Sequence, residues 1–185
     1  MSLAHMIVRL RRPVRRLLRD KRGISAVEFA MLLPLMVTLY LGGVEVSQGV
    51  AIDRKVTLIS RSLADLVAQA TTVSTDDMNN ILAATTAVVA PYSDSKLKIV
   101  VSSVTIDANG VAKIAWSDTK NGTKRTVGST VTLPTALNIA NTSLIWAEAE
   151  YAYTPTIGYV VTGTMNLKDQ IYMRPRLSDS VARTS

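Results

Sequence analysis

The amino-acid sequence predicts an α+β fold in which one long N-terminal hydrophobic helix continues into a small globular head. Three observations lead to this expectation. An apolar run near the N-terminus is long enough to cross a membrane as a helix, an amphipathic pattern follows it directly, and the segments after Pro91 are rich in β-branched residues. The head is therefore expected to combine the end of that helix, a second helix and an antiparallel β-sheet.

The apolar run Ile24–Val44 contains 21 residues and a single charged side chain, Glu28. About 20 apolar residues are needed to span the hydrocarbon core of a bilayer as a helix. Pro34 lies inside the run and lacks an amide donor, so we expect it to kink or loosen the helix locally. Membrane helices tolerate such a proline. The sequence therefore predicts a transmembrane helix over residues 24–46.

Positive charge is concentrated in the first 23 residues. The chain carries a net charge of +7, and residues 1–23 hold eight basic side chains and one acidic side chain, which account for all of it. A basic leader in front of an apolar run keeps the N-terminus in the cytoplasm and exports the C-terminus. We therefore expect a cytoplasmic leader at residues 1–23 and an exported head at residues 47–185, with no nucleic-acid-binding face on the head.

A cleavable secretory signal also combines a basic segment with an apolar run. The run here is long for such a signal, and it continues from Gly42-Gly43 into a helical pattern instead of a small-residue cleavage site. We therefore favour a retained anchor. Two explanations stay open for Glu28: a carboxylate inside a membrane span is costly and often functional, whereas a carboxylate within one turn of the membrane edge reaches the headgroups.

The junction between leader and apolar run reads Arg22-Gly23-Ile24-Ser25-Ala26-Val27-Glu28-Phe29. It resembles the processing site of type IV pilin-like proteins, and the longer run RGISAVEFAMLLPL resembles the TadE-like (TadE/TadG-type) pseudopilins of the Tad/Flp type IVb pilus system. The resemblance is carried by Gly23, Glu28, Phe29 and Pro34. Near the other end, Ile171–Arg176 resembles the C-terminal segment of the same relatives.

The resemblance implies that a prepilin peptidase cleaves between Gly23 and Ile24, and that Glu28, Phe29 and Pro34 form an assembly motif. Glycine has no side chain, so a protease can approach the backbone closely. The new α-amine on Ile24 is largely cationic at neutral pH, and in this class the glutamate pairs with the amine of a neighbouring subunit. The implied function is that of a minor pilin or pseudopilin that primes, caps or populates a Tad/Flp-type pilus.

The partners implied by the resemblance are prepilin peptidase, other pilins and pseudopilins, and the inner-membrane assembly platform of the Tad system. The implied location is the inner membrane, with the head in the periplasm, or the extracellular pilus. No nucleic acid and no small-molecule substrate are expected. The alternative is an uncleaved signal anchor that displays a periplasmic binding module, for which Gly23 and Glu28 are dispensable.

The residue types argue against an enzyme. The one histidine is His5, in the leader, and the chain has no cysteine, so a histidine-based triad or a thiolate metal site in the head is excluded. No catalytic residue, metal site or cofactor is expected. Glu148 and Glu150 share one face of a predicted strand, where they form either a paired-carboxylate site or a solvated surface, and we favour the surface.

The amphipathic pattern predicts that the first helix extends from about Ile24 to Ala70. A second helix is expected to follow, with Ser74 or Thr75 as its N-cap and with Pro91 ending it. The side chains expected to face the core from the first helix are Val46, Val50, Val56, Ile59, Leu63, Leu66 and Val67. The second helix is expected to bury Met78, Ile81, Leu82, Thr85, Val88 and Val89.

Four strands are expected at Leu97–Ile106, Val111–Trp116, Leu144–Tyr153 and Lys168–Arg174, with a hairpin turn at Asp107–Gly110 and another turn at Asn121-Gly122. Along the third strand, Ala147, Ala149 and Ala152 are expected to alternate with a wetter set formed by Glu148, Glu150 and Tyr151. Trp116 and Trp146 are assigned to core or edge packing. Residues 119–131 and 154–166 are expected to be loops, and the tail after Pro175 to be mobile.

Overall fold

The computed structural model describes residues 22–155, 158 and 162–184. The leader up to residue 21 and part of the predicted loop 154–166 lie outside the described residues. The chain divides into two compact units, Met1–Val44 and Glu45–Ser185. The structure confirms the predicted α+β class, with a long apolar helix, a second helix and an antiparallel sheet.

Helix α1 runs from Arg22 to Ala68 and contains 47 residues. Its bounds lie within two residues of those predicted. The helix continues through Pro34. The Thr38 hydroxyl donates a 2.8 Å hydrogen bond to the Pro34 carbonyl, four residues earlier.

In the second unit, α1 buries one side of its surface against the sheet. The side chains at this contact are Ile52, Val56, Ile59, Leu63 and Val67. The prediction was wrong for Val46, Val50 and Leu66, which are 56%, 47% and 42% exposed. Gly49, the residue before Val50, is buried instead. A Cβ added at Gly49 would lie 3.4 Å from the Tyr153 ring.

Helix α2 spans Thr75–Ala87 and begins with a capping box. The Ser74 hydroxyl accepts the Asp77 amide at 3.1 Å, and the Asp77 carboxylate accepts the Ser74 amide at 3.1 Å. The helix ends at Ala87, and Pro91 disfavours its continuation through Ala90. The Lys55 ammonium donates to the carbonyls of Val88 and Ala90 beyond the helix end. The predicted inner face is buried or half-buried throughout.

Five strands form an antiparallel sheet in the order β4-β3-β2-β5-β6, and two short strands, β1 and β7, pair in parallel. The strand bounds are Thr72–Val73 for β1, Leu97–Ile106 for β2, Ala112–Lys120 for β3, Thr130–Val131 for β4, Thr142–Tyr153 for β5, Met165–Met173 for β6 and Ala182–Arg183 for β7. The predicted loops 119–131 and 154–166 are therefore wrong at their ends, where β3, β4 and β6 extend into them.

The predicted hairpin turn between β2 and β3 is confirmed. The Asp107 carboxylate accepts the amides of Asn109 and Val111, both at 2.9 Å, and Gly110 has a φ of 79°. A left-handed φ is costly for most residues other than glycine. Local chemistry thus fixes this turn, as its sequence indicates.

A bulge in β3 divides the core between the two faces of the sheet. Ser103 pairs with Trp116 and Val104 pairs with Ile114, so Ala115 is an extra residue. Trp116 consequently joins the core between sheet and helices, whereas Ile114 joins a second cluster on the outer face. Trp116 and Trp146 are both buried, one in each cluster.

The alternation along β5 differs from the prediction after Glu150. Tyr151 is buried with Ala147 and Ala149, and Ala152 is half-buried. A strand places every second side chain on one face, so the odd-numbered positions continue toward the helices. The large aromatic side chain, not the small Ala152, fills the core there.

The tail after Pro175 is not loose but forms a C-terminal strap, defined here as residues 174–184. The Arg176 amide donates to the Ala68 carbonyl at 2.9 Å, and β7 pairs with β1. The buried indole N–H of Trp116 donates to the Val181 carbonyl at 2.7 Å. The prediction was wrong because its partners are up to about a hundred positions away in sequence, where local patterns carry no signal.

Candidate functional site

The residues of the predicted processing and assembly motif all lie on the exposed surface of α1 in the first unit. Gly23, Ile24, Glu28, Phe29 and Pro34 are classed as exposed, with Ile24 and Phe29 at 56% and 57%. The helical conformation that begins at Arg22 fixes their relative positions. No other described residue covers the motif.

Helix geometry brings Ile24 and Glu28 onto one face. They are four residues apart, which corresponds to about one turn and a rise of roughly 6 Å. Phe29, the next residue, projects roughly 100° away around the helix axis. The Ile24 and Glu28 side chains consequently lie on the same side of the helix.

No neighbour within the described residues explains why position 23 is glycine. A Cβ added at Gly23 would meet no atom within 4 Å, and the same holds for Gly43. Neither glycine has a positive φ among the described residues. Gly23 is the second residue of the described helix, and neither packing nor backbone conformation among the described residues requires glycine there.

Apolar side chains surround this part of α1 on every side. Its exposed large side chains are Ile24, Val27, Phe29, Met31, Leu32, Leu33, Leu35, Met36, Val37, Leu39 and Tyr40. The helix contains a window with mean hydropathy 1.9. A helix that is apolar all round belongs in a membrane or in the interior of an assembly, so this segment fits a single-pass membrane anchor.

The small side chains of this segment leave its surface open. Ser25, Ala26 and Ala30 are exposed, and Gly43 is exposed as well, whereas Gly42 is buried. Small residues on an apolar helix let a second helix approach closely. Four of the five small residues thus lie where another helix has access.

A second arrangement of polar side chains lies on the outer face of the head sheet. The structure brings Glu148 and Glu150 onto one face, as predicted, and pairs each with a cation. Arg125 forms a bidentate bond with Glu148, at 2.7 Å and 3.0 Å, and Lys168 lies 3.1 Å from Glu150. Two carboxylates with separate cationic partners do not form a proton-sharing pair, which agrees with the favoured interpretation as a strand surface.

No local sequence pattern indicates the ion pair that anchors the strap. Arg183 donates to Asp118 at 2.7 Å, and Lys124 donates to the same carboxylate at 2.8 Å. Burial by itself would raise the pKa of Asp118, but the hydrogen bonds from Arg183 and Lys124 outweigh it and lower that pKa below its ordinary value. The pair joins residues that are 65 positions apart.

The polar end of Tyr153 lies against the first turn of α1 in the second unit. Its hydroxyl donates a 3.0 Å hydrogen bond to the backbone carbonyl of Glu45, which is 2% exposed. Burial and the nearby Glu45 charge raise the pKa of Tyr153. The contact fixes β5 to the helix, and no sequence pattern predicts it.

Comparison with known proteins supports the resemblance on which the motif was identified. Residues 23–62 match the family model described as TadE-like protein. The match starts at Gly23 and includes every residue of the motif. No curated protein and no solved structure matches the chain significantly.

Proposed function

Since residues 23–62 form a TadE-like domain, which supports a role in a Tad pilus system, we propose that this chain is a minor pilin or pseudopilin of such a system. It takes part in assembly as a priming, tip or fibre component. The observation that carries the proposal is the coincidence of the family match with an apolar helix whose motif residues are all exposed.

Maturation by prepilin peptidase is part of the proposal. The peptidase cuts after Gly23 and leaves Ile24 at the N-terminus. Among the described residues no packing contact requires glycine at position 23, and a protease that needs close approach to the backbone would favour a residue without a side chain there.

Glu28 is proposed to pair with the Ile24 amine of a neighbouring subunit. The surface of α1 around Glu28 is apolar. A cation from a neighbouring subunit would therefore offset the cost of removing the Glu28 carboxylate from water. Removing one member of a buried ion pair costs about 3–5 kcal/mol. Such a penalty would select subunits whose leader has been removed.

The proposed location is the inner membrane, with the N-terminus in the cytoplasm and the head in the periplasm, before incorporation into a pilus. The eight basic residues of the leader support this orientation. The proposed partners are prepilin peptidase, other pilins and pseudopilins, and the Tad assembly platform. We assign the chain no enzymatic activity.

The function is tested by deleting the gene in its host and counting pili released from the cell surface by shearing. We expect a marked loss of pili, and restoration by a plasmid copy of the unaltered chain. Unchanged pilus numbers in the deletion strain, with the other Tad components intact, would contradict a role in assembly and favour the uncleaved, membrane-anchored binding module.

A further inference from the structure

Strand β6 lies at one edge of the five-stranded sheet. It pairs with β5 along its whole length, Met165–Met173, and with no other described strand. The opposite edge is covered by the turn before β4, because the Ile114 amide donates to the Ser129 carbonyl at 3.0 Å and the Gly128 amide donates to the Ile114 carbonyl at 2.8 Å. Unpaired backbone groups at the edge of a sheet are a template for a further strand.

The pairing of the strands determines which backbone groups of β6 point outward. The Thr119 hydroxyl of β3 donates to the Ile99 carbonyl at 2.6 Å, so the backbone groups of Ile99 face β3. Successive residues of an antiparallel strand direct their backbone groups to opposite sides. Val100 therefore faces Glu148 of β5, and Gln170, which is opposite Glu148 on β6, faces away from the sheet. The even-numbered residues of β6 thus present their N–H and C=O groups at the edge.

Three of the four outward amides have no partner in the part of the chain that the structure describes. The amide of Gln170 donates to the Asp169 carboxylate at 2.9 Å, which satisfies one edge donor locally. The amides of Asn166, Lys168 and Tyr172 donate to no other described residue. Donors and acceptors in such a row supply the main-chain hydrogen bonds by which an extended peptide adds to a sheet.

The side chains of β6 differ between its two faces. On the face toward the helices, Leu167, Ile171 and Met173 are half-buried and pack against the rim of the core. On the outer face, Asn166 and Lys168 are exposed. Side chains of adjacent strands interact face by face. A further strand with alternating apolar and polar residues would therefore bury the three apolar side chains and leave its polar residues on the outer face.

The charges on the outer face favour an acidic residue in that further strand. Lys98, Glu150 and Lys168 lie in register across β2, β5 and β6, and the Lys168 ammonium is 3.1 Å from the Glu150 carboxylate. The signs alternate along this row. Opposite charges directly across from each other stabilise a pair of strands, whereas like charges destabilise it. The next position in the row, opposite Lys168, consequently suits a carboxylate.

The same edge is poorly suited to a second copy of itself. A twofold-symmetric antiparallel pairing centred on Lys168 or Asp169 places identical charges directly opposite each other. Registers centred one or two residues to either side place the Asp169 carboxylate opposite Met165, Ile171 or Met173. Both arrangements are unfavourable across a strand pair. The side chains of β6 thus favour a partner with a different sequence.

We propose that β6 accepts an extended segment of another protein as an antiparallel sixth strand of the sheet. The segment turns its apolar side chains toward Leu167, Ile171 and Met173 and places a glutamate or aspartate opposite Lys168. The recognition is β-strand addition, in which main-chain hydrogen bonds provide affinity and the alternating side chains provide specificity. The inference uses residues of the head alone and does not depend on the pilus role.

The probe is a fluorescein-labelled, amidated nonapeptide, VTVTTEVTV, which places valines on the helix side and its glutamate opposite Lys168. Its binding to the full chain in phosphatidylcholine nanodiscs is measured by fluorescence polarisation. Replacing the glutamate of the peptide by lysine should raise the Kd by about fivefold, through the cross-strand charge pair. Lys168→Gln should abolish this preference for glutamate.

Methylation of the peptide amides tests strand addition directly. Methyl groups on the peptide residues opposite Lys168 and Gln170 remove donors that face β6, so binding should be lost. Methyl groups on the residues opposite Asp169 and Ile171 are the matched control, because those amides point away from β6, and the Kd should stay unchanged.

A second comparison changes the protein instead of the peptide. Asn166→Pro removes an outward amide that does not bond with β5, and should weaken binding, whereas Asn166→Thr keeps that amide and should not. The methylated peptides decide the question if the proline variant does not fold. The proposal is overturned if the unmodified peptide does not bind at millimolar protein, if the two methylation patterns have equal effects, or if the glutamate and lysine peptides bind equally.

Discussion

The Glu28 carboxylate lies on an exposed surface whose other large side chains are apolar. Within the chain, no ion pair to Glu28 is formed among the described residues. Glu28 lies one helical turn from Ile24, and its ion-pair partner need not belong to the same molecule. The proposed partner, the free N-terminal amine of a neighbouring subunit, has the opposite charge.

Glu28→Gln is expected to leave membrane insertion and leader removal intact but to reduce assembly, because the amide cannot neutralise an incoming amine. The chain has no cysteine, so a single cysteine placed at Leu39 reports contacts through disulfide cross-linking to pilins that carry a matching cysteine. We expect the cross-linked fraction to fall by about tenfold or more, in keeping with an unpaired buried charge. Equal cross-linking in both forms would contradict the role given to Glu28.

Asp118 connects residue chemistry to the stability of the head at low pH. Its pKa is lowered in the folded state, so the stabilisation that it provides is complete above the ordinary carboxyl pKa of about 4 and is lost as the pH falls through the folded value. Asp118→Asn should destabilise the head by about 1–3 kcal/mol at pH 7, because Arg183 loses a charged acceptor.

The measurement is the free energy of unfolding in urea as a function of pH. The difference between Asp118→Asn and the unaltered chain should be constant from pH 7 to about pH 5 and shrink below about pH 4. Asp53→Asn is the control, since Asp53 is exposed and forms no ion pair among the described residues. A difference that persists unchanged in acid would show that the charge of Asp118 is not responsible.

At the scale of elements, the C-terminal strap closes the head by joining the end of α1, strand β1 and the bulged strand β3. It supplies the acceptor for the Trp116 indole and the amide that binds the Ala68 carbonyl. Orphan carbonyls at a helix end need such partners. The strap is therefore an integral part of the fold.

A stop codon after Pro175 is expected to destabilise the head by about 2–5 kcal/mol, because several hydrogen bonds worth about 1 kcal/mol each are lost. Made in a Trp146→Phe background, the truncation should also shift the emission of Trp116 to longer wavelength as its indole becomes hydrated. Unfolding followed by urea and fluorescence measures both effects. An unchanged midpoint with unchanged emission would contradict the role of the strap.

Elements with local chemical signals could be predicted from the sequence, and those that depend on distant partners could not. The cap at Ser74 and the turn at Asp107–Gly110 are built from adjacent residues, and both are confirmed. Ser117 and Asp118 look like loop residues, yet β3 includes them because Ser102 and Arg183 provide polar partners from elsewhere. Arg125, which binds Glu148 and lies over the Trp146 ring, was missed for the same reason.

At the scale of the whole molecule, the two units carry different kinds of information. The first unit contains a short motif whose residue types and spacing can be recognised without a structure. The family match at residues 23–62 supports its identification as a TadE-like motif. In the second unit, the ion pairs on the outer face of the sheet depend on pairing between strands and on the loop that contains Arg125. Arg125 and Glu148 are 23 positions apart in the sequence, so the sequence alone did not reveal their pairing.

The central claim is that this chain is a pilin-like subunit matured after Gly23. The most direct test is intact mass and N-terminal sequencing of the protein isolated from membranes with active or inactivated prepilin peptidase. Gly23→Ala is the test variant, and Gly43→Ala is its matched control, because a Cβ at either position meets no described atom within 4 Å. We predict a mature N-terminus at Ile24 that requires the peptidase, disappears in Gly23→Ala and persists in Gly43→Ala. An intact leader in every sample would contradict the account.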